Sequence, residues 1–186
     1  MDRPTEIQLP DPCLVVLVGA AGAGKSTFAA RHFASHEILS SDAYRALLAG
    51  DPADQRATRA AFGALHRELG HRLADRHLVV VDATSATAPA RGVLLRAAGA
   101  AGVPAVAIVL DLPADVVLAR NAARRARAVP EAAVRRHLRD LAAAGADREL
   151  AAEGFALVVR LRSATEVDAV RITRAARPGS RSGTPG

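Results

Sequence analysis

At 186 residues, half of them hydrophobic and with a formal net charge of +6, the chain has the length of one domain and enough apolar side chains for a sizeable core. Its one cysteine, Cys13, excludes an internal disulfide framework and a cysteine-built zinc site, and no apolar run approaches the ~18 residues that a membrane helix needs. The N-terminal MDRPTEIQLP carries no charged-then-apolar leader pattern, and the expectation is a cytoplasmic protein.

In chain order, residues 1–13 read as an N-terminal extension, followed by one domain over residues 14–174. Leu14–Gly19 is apolar and of core-strand length, and Lys25–Phe33 follows as a helix. Glu37–Ser40 reads as a short strand and Asp42–Ala49 as a short helix. A long helix then runs from about Gln55 to Asp75, where Ala61, Leu65, Leu69 and Leu73 recur every four residues and give one buried stripe. Leu78–Val81 is a strand, Pro89–Ala101 a helix and Pro104–Leu110 a strand. Ala114–Arg124 and Glu131–Ala144 read as helices, and Phe155–Leu161 as a late strand. Alternation of this kind, with strands apolar on both faces, predicts an α/β fold with a parallel sheet of about five strands flanked by helices. Residues 175–186, rich in Pro, Gly, Ser and Arg, read as a disordered tail.

The strongest motif is GAAGAGKST, a full match to GxxxxGK[ST] formed by Gly19, Ala20, Ala21, Gly22, Ala23, Gly24, Lys25, Ser26 and Thr27. Such a loop curls its backbone N–H groups inward around phosphate oxygens, and the following helix adds its positive end. Lys25 would reach the β- and γ-phosphates of ATP, and the Ser26 hydroxyl would ligate Mg²⁺. The motif sits between the strand LVVLV and the helix FAARHF, the context it requires, so the sheet is of the P-loop NTPase type. Lys25 is the only lysine in the chain, against 24 arginines. The one compact ammonium therefore stands where a planar guanidinium cannot substitute for it.

Further acids stand at strand ends, where ligands of open sheets bind. Asp42, after EILSS, can accept a proton from an attacking hydroxyl; it can equally cap the short helix that follows, and the two roles can coexist. Arg45, three residues on, lies on the same helical face and could hold a substrate anion. Asp82 closes the apolar run VVVD in a Walker-B-like pattern that would tie the loop to Mg²⁺, in part through water. Asp111 has the same look but reads as a turn former before Pro113. Basic charge is concentrated, with seven arginines and one acid between Arg120 and Arg139. Arg120, Arg124 and Arg127 recur at helical spacing, so residues 120–139 read as an arginine-rich helical lid over phosphates.

On GAAGAGKSTFAARHF, SSDAYRALL, DQRAT, LVVVDAT, VAIVLDLP, RNAARRARAV and the late EGF, the chain resembles the polynucleotide kinase family, in particular the kinase module of bacterial RNA end-healing polynucleotide kinase-phosphatases, here as a stand-alone kinase domain. The resemblance spans about Val15 to Leu161. It implies that Asp42 is the general base for a 5′-OH and that Arg45 contacts the substrate phosphate. It also implies that Arg124 and Arg127 are lid residues on the ATP phosphates with Arg120 beside them, and that Asp54 and Gln55 lie near the acceptor site. The chain departs from the family at Ser85, where Asn is usual, and at Ala126 and Ala128 around the second lid arginine.

Aromatic residues are few, 3%, which leaves no stacking platform typical of a strong single-strand binder; Tyr44 could stack one base or simply pack. The six histidines show no metal-ligand spacing and read as structural or exposed. The expected function is ATP- and Mg²⁺-dependent transfer of the γ-phosphate to a hydroxyl, with the 5′-OH end of RNA or DNA as first choice. The alternatives are a kinase of a small hydroxylated metabolite or sugar nucleotide, and a non-catalytic P-loop ATP-binding regulator.

Overall fold

The computed structural model describes residues 6–48, 55–124 and 128–175. The elements follow one another as β1 (Glu6–Leu9), β2 (Leu14–Val18), α1 (Lys25–His32), β3 (Ile38–Ser40), α2 (Ser41–Leu48), α3 (Gln55–Ala74), β4 (Val79–Asp82), α4 (Ala88–Ala100), β5 (Ala105–Leu110), α5 (Ala114–Ala122), α6 (Glu131–Ala143), α7 (Asp147–Glu153), β6 (Leu157–Leu161), α8 (Ala164–Ala169) and β7 (Arg171–Arg174). Five of the strands form a sheet in the order β3–β4–β2–β5–β6, parallel throughout. The α/β architecture and the five-stranded parallel sheet read from the sequence are thus present.

The central strand explains why the sheet needs helices on both sides. Every residue of β2 is buried, and alternate side chains point to opposite faces. Val15 and Leu17 join Phe28, Ile108, Val117 and Val134 in one core, while Leu14, Val16 and Val18 join Leu65, Leu69, Leu73 and Leu94 in the other. The stripe on α3 is the main apolar wall of the second core: Ala61, Leu65, Leu69 and Leu73 are all buried. Each such leucine contributes about 1.5–3 kcal/mol by leaving water.

Two strands escaped the sequence pattern. β1, inside the stretch read as an extension, pairs in parallel with β7 in a separate two-stranded sheet, with Glu6 opposite Arg171 and Leu9 opposite Arg174. Ile7 and Leu9 are buried by it. Arg174 then donates two hydrogen bonds of 2.8 and 2.9 Å to the buried Glu37 carboxylate, which fixes the last strand to the turn before β3.

Two further arginines make three more ion pairs between distant segments. The fully buried Arg91 of α4 donates to both Glu153 oxygens of α7 at 2.7 and 2.5 Å. Arg160 of β6 reaches Asp111 at 2.9 Å and Asp147 at 2.7 Å. Asp111, read from the sequence as a turn former, therefore also anchors a buried guanidinium. Glu153, the first residue of the late EGF, is likewise a structural partner of Arg91, with Gly154 capping α7 at φ +118°.

Candidate active site

β2 and β5 are neighbours whose onward connections leave in opposite directions, toward β3 and β6, and ligands of open sheets bind at such a crevice. Here the loop from β2 to α1 opens into a cavity of about 840 Å³. The loop's shape requires glycine at two places. Gly22 has φ +91°, and a Cβ there would lie 2.6 Å from the Val117 carbonyl oxygen of α5. Gly24 stands at the N-terminus of α1 with φ +96°. Gly19 starts the turn, its N–H donating to the Thr84 carbonyl at 3.2 Å, so the loop is held by the segment after β4 on one side and by α5 on the other.

Lys25 is buried. Its ammonium donates to the loop's own carbonyls, Gly19 O at 2.8 Å and Ala20 O at 2.9 Å. Burial pushes its pKa down to about 8, opposed by the Asp82 carboxylate, assisted by Arg124 and opposed again by Asp42. All three of those residues line the cavity. Ala21, Ser26 and Thr27 line it too, whereas Ala20 and Ala23 are packed into the core.

Asp82 ends β4 in register with Leu17 of β2 and Ser40 of β3, so the sheet itself carries it to the cavity floor. Asp42 follows β3 at once. The helix α2 begins at Ser41 and the Ser40 hydroxyl accepts from the Ala43 N–H at 3.4 Å, so the cap is Ser40 and Asp42 lies inside the first turn, a correction to its reading as a cap. The Asp42 carboxylate is ion-paired with Arg45 one turn on, and both line the cavity.

Arg120, in the last turn of α5, and Arg124, just beyond it, are exposed and line the cavity. A Cβ on Gly24 would sit 3.7 Å from Arg120 Nη1, which places that guanidinium at the start of α1. Asn121, buried between them, donates from its side-chain nitrogen to Val129 O at 2.7 Å and accepts from Val129 N at 3.1 Å. One amide thus clasps both ends of the arginine-bearing segment, a role with no signature in the sequence. Arg127 and Asp54 lie outside the described residues, as does the side chain of Gln55, whose backbone begins α3.

Several lining residues were not singled out as site residues. Arg136, His137 and Asp140 of α6 lie along one wall, and Phe62 and His66 of α3 along another. The buried Nδ1 of His137 has no hydrogen-bond partner among the described residues. Burial lowers its pKa, with Lys25 and Arg136 pressing the same way and Asp140 opposing them. His66 and His137, read from the sequence as structural or exposed, thus line the cavity. Tyr44 packs at the edge of the second core instead.

The arrangement can hold a polyanion: a helix N-terminus, a buried ammonium and guanidinium groups converge on one cavity. Ser26 and Asp82 offer it a hydroxyl and a carboxylate, the hard oxygen donors that fit Mg²⁺. Among the described residues no group of three or more His, Cys, Asp and Glu is placed to hold a metal by itself, and a cation carried by phosphates needs none. No helix among the described residues is long and apolar enough to cross a membrane.

The AAA domain family matches residues 14–144. No curated protein matches the chain. Among solved structures, a chain of the Pnkp1/Rnl/Hen1 RNA repair complex superposes with a TM-score of 0.62 at 20% identity, over 77% of this chain and 46% of that one. The present chain thus spans less than half of that relative. Shikimate kinase from Acinetobacter baumannii, in complex with shikimate, gives a TM-score of 0.53 at 22% identity over 84% of this chain and 88% of that one. A gluconokinase from Sinorhizobium meliloti 1021 gives 0.52 at 21% identity over 86% and 87%. At these identities the likeness establishes the fold, which is that of P-loop kinases.

Proposed function

Because the chain belongs to the AAA domain family, we propose, from its site, that it is an ATP-dependent kinase transferring the γ-phosphate to a hydroxyl, and that this hydroxyl is the 5′-OH end of RNA or DNA. The observation that carries the reading is the placement of Asp42 and Arg45 on the same cavity as Lys25. A P-loop explains nucleotide binding; a carboxylate and a guanidinium on the same cavity supply what an anionic, hydroxyl-bearing acceptor needs.

In this reading the loop residues Gly19 to Thr27 cradle the triphosphate, and Lys25 leaves the carbonyls of Gly19 and Ala20 for the β- and γ-phosphate oxygens. Ser26 and Asp82 would hold Mg²⁺, which would supply charge neutralisation at the phosphates. The acceptor's phosphate competes for Arg45 and frees the Asp42 carboxylate. Asp42 then takes the proton of the acceptor hydroxyl as its oxygen forms a bond to the γ-phosphorus. The bond from that phosphorus to the β–γ bridging oxygen breaks, and ADP leaves with the electron pair. Arg124 and Arg127, with Arg120 beside them, stabilise the charge on the transferring group; Asp54 and Gln55 lie toward the acceptor.

A second reading, a kinase of a small hydroxylated metabolite, is favoured by one fact: the chain covers most of the shikimate kinase and gluconokinase chains but under half of the RNA-repair chain. Transfer of radiolabelled γ-phosphate from ATP to a panel of 5′-OH RNA and DNA oligonucleotides, polyols and hydroxy acids separates them. Labelled oligonucleotide is the expected product. Label on a small alcohol alone would move the assignment to the second reading, and ATP binding with no transfer to any member would leave a regulator.

A further inference from the structure

Phe62 is an unusual residue in this chain. Of the four phenylalanines, Phe28, Phe33 and Phe155 are buried, while Phe62 and Leu47 are the large hydrophobics exposed among the described residues. Only Phe62 of that exposed pair lines the cavity. It is 37% exposed, and its ring centre lies 6.2 Å from that of His66, one turn along α3, at an interplanar angle of 39°. That separation falls within the range of interacting aromatic pairs. Burial holds the His66 imidazole below its ordinary pKa.

The surroundings say what the ring faces. Leu65 and Leu94 line the same cavity as the pair and give it an apolar portion, whereas Asp42 and Arg45, which line it too, are charged. A polyol or hydroxy acid would leave the exposed ring of Phe62 without a partner. A nucleotide suits both parts at once: a flat heterocycle for the rings and a phosphate for Arg45.

We infer that Phe62, supported by His66, is the platform on which the acceptor's terminal base stacks, making the acceptor class a base-bearing 5′-hydroxyl nucleotide with a phosphate on its 3′ side. The inference rests on the kinase reading above and deepens it. It also moves the ring contact from Tyr44, which packs against the core, to α3. Phe62 acts as a specificity residue that positions the base and leaves the reacting atoms to others.

The test separates binding from transfer. The full chain, with Mg²⁺ and the β,γ-imido analogue of ATP, is titrated with a 5′-OH dinucleotide whose first base is 2-aminopurine, and an abasic counterpart is titrated in competition. Stacking quenches the 2-aminopurine fluorescence. Phe62→Ala should remove the quench and weaken the base-bearing ligand by about tenfold or more, the size of one base–aromatic stack. It should leave the abasic ligand unchanged, and Phe62→Trp should restore the quench. Equal affinity of the parent for the two ligands, or of Phe62→Ala and the parent for the base-bearing one, would overturn the platform. Labelled-phosphate transfer is scored separately. Transfer without ring-dependence keeps the kinase reading and loses the platform, and ring-dependent binding without transfer to any acceptor keeps the platform and loses the kinase reading.

Discussion

The Asp42 carboxylate is ion-paired with the Arg45 guanidinium one helical turn away, on the wall of the cavity that also holds Lys25. Both side chains remain largely open to solvent, so the pair itself adds little to stability. Its consequence is chemical. Since the cap of α2 is Ser40, Asp42→Asn leaves the helix start intact and removes the proton acceptor together with the charge paired with Arg45. Phosphate transfer should fall by about 100- to 10,000-fold, the range of a lost general base, with ATP affinity unchanged in an equilibrium titration. Arg45→Ala should raise the KM for the acceptor more than that for ATP. Full turnover in Asp42→Asn would remove the base from the mechanism.

Arg124 and Arg127 are expected to act on the transition state. Replacing either with alanine should raise the barrier by about 2–4 kcal/mol, as losing one charge-stabilising donor does. The measured quantity is kcat of folded protein, checked against an unchanged thermal midpoint. Loss of stability with intact kcat would make these arginines structural.

Asn121 gives a related but separable expectation. Its amide holds both the donor and the acceptor of Val129, so Asn121→Ala unclasps the segment that carries the arginines and strands buried polar groups. Stability should fall by about 1–3 kcal/mol in denaturant titration, and kcat should fall with it while ATP affinity changes less. Asn121→Asp keeps the acceptor but sets a second acceptor oxygen against the Val129 carbonyl, and should lose at least as much stability as Asn121→Ala.

What the sequence made legible and what it did not follow from the range of each interaction. The loop, β2 and the α3 stripe are written in adjacent residues: a glycine-rich turn between an apolar run and a helix, and leucines four apart. β1 offers only Ile7 and Leu9 as apolar alternation, and its partner β7 lies more than 160 residues away, so no local pattern reveals it. Arg91 and Glu153 are 62 residues apart, and an arginine on an alanine-rich helix reads as solvated until α7 is folded against it. Phe62 stands beside the buried stripe residue Ala61, and only the folded cavity decides which of the two faces solvent. His137 reaches the site because α6 forms a wall of the cavity near the P-loop, a placement that spacing along α6 does not carry.

The Arg91–Glu153 pair gives a stability prediction. Arg91 also donates to the Ser85 and Ala86 carbonyls at 3.1 and 2.6 Å, and both of those residues line the cavity. Removing Glu153 leaves a buried guanidinium without its counter-charge, and such a loss costs about 3–5 kcal/mol. Glu153→Gln should therefore lower stability strongly, and Arg91→Met with Glu153→Leu together should recover much of it. An additive double variant, measured by denaturant titration, would show that the two side chains are not coupled.

The buried ammonium of Lys25 makes nucleotide binding depend on pH in a defined direction. In the free protein its pKa is held down to about 8, chiefly by burial, whereas an unperturbed lysine titrates near ~10.4. The folded state thus binds its proton less tightly than the unfolded chain, and this group's contribution to stability is present above the unfolded pKa and lost as pH falls through the folded value. For ATP the sign reverses. Phosphate oxygens favour the charged ammonium and raise its pKa in the complex, so binding takes up a proton above pH 8. Affinity should be flat from pH 6.5 to 7.5, where the ammonium is already charged. Above pH 8 it should weaken by up to about tenfold per unit, the limit for one linked proton. Calorimetry at pH 8.5 in two buffers of different ionisation enthalpy reads the proton uptake directly. Lys25→Ala should bind ATP weakly at every pH with no uptake near 8.5. Lys25→Arg should lose transfer as well, because a planar fork cannot take the place of an ammonium held between the carbonyls of Gly19 and Ala20. Proton uptake that persists in Lys25→Ala would assign the titration to another group, and near-normal turnover in Lys25→Arg would show that the loop does not distinguish the two cations.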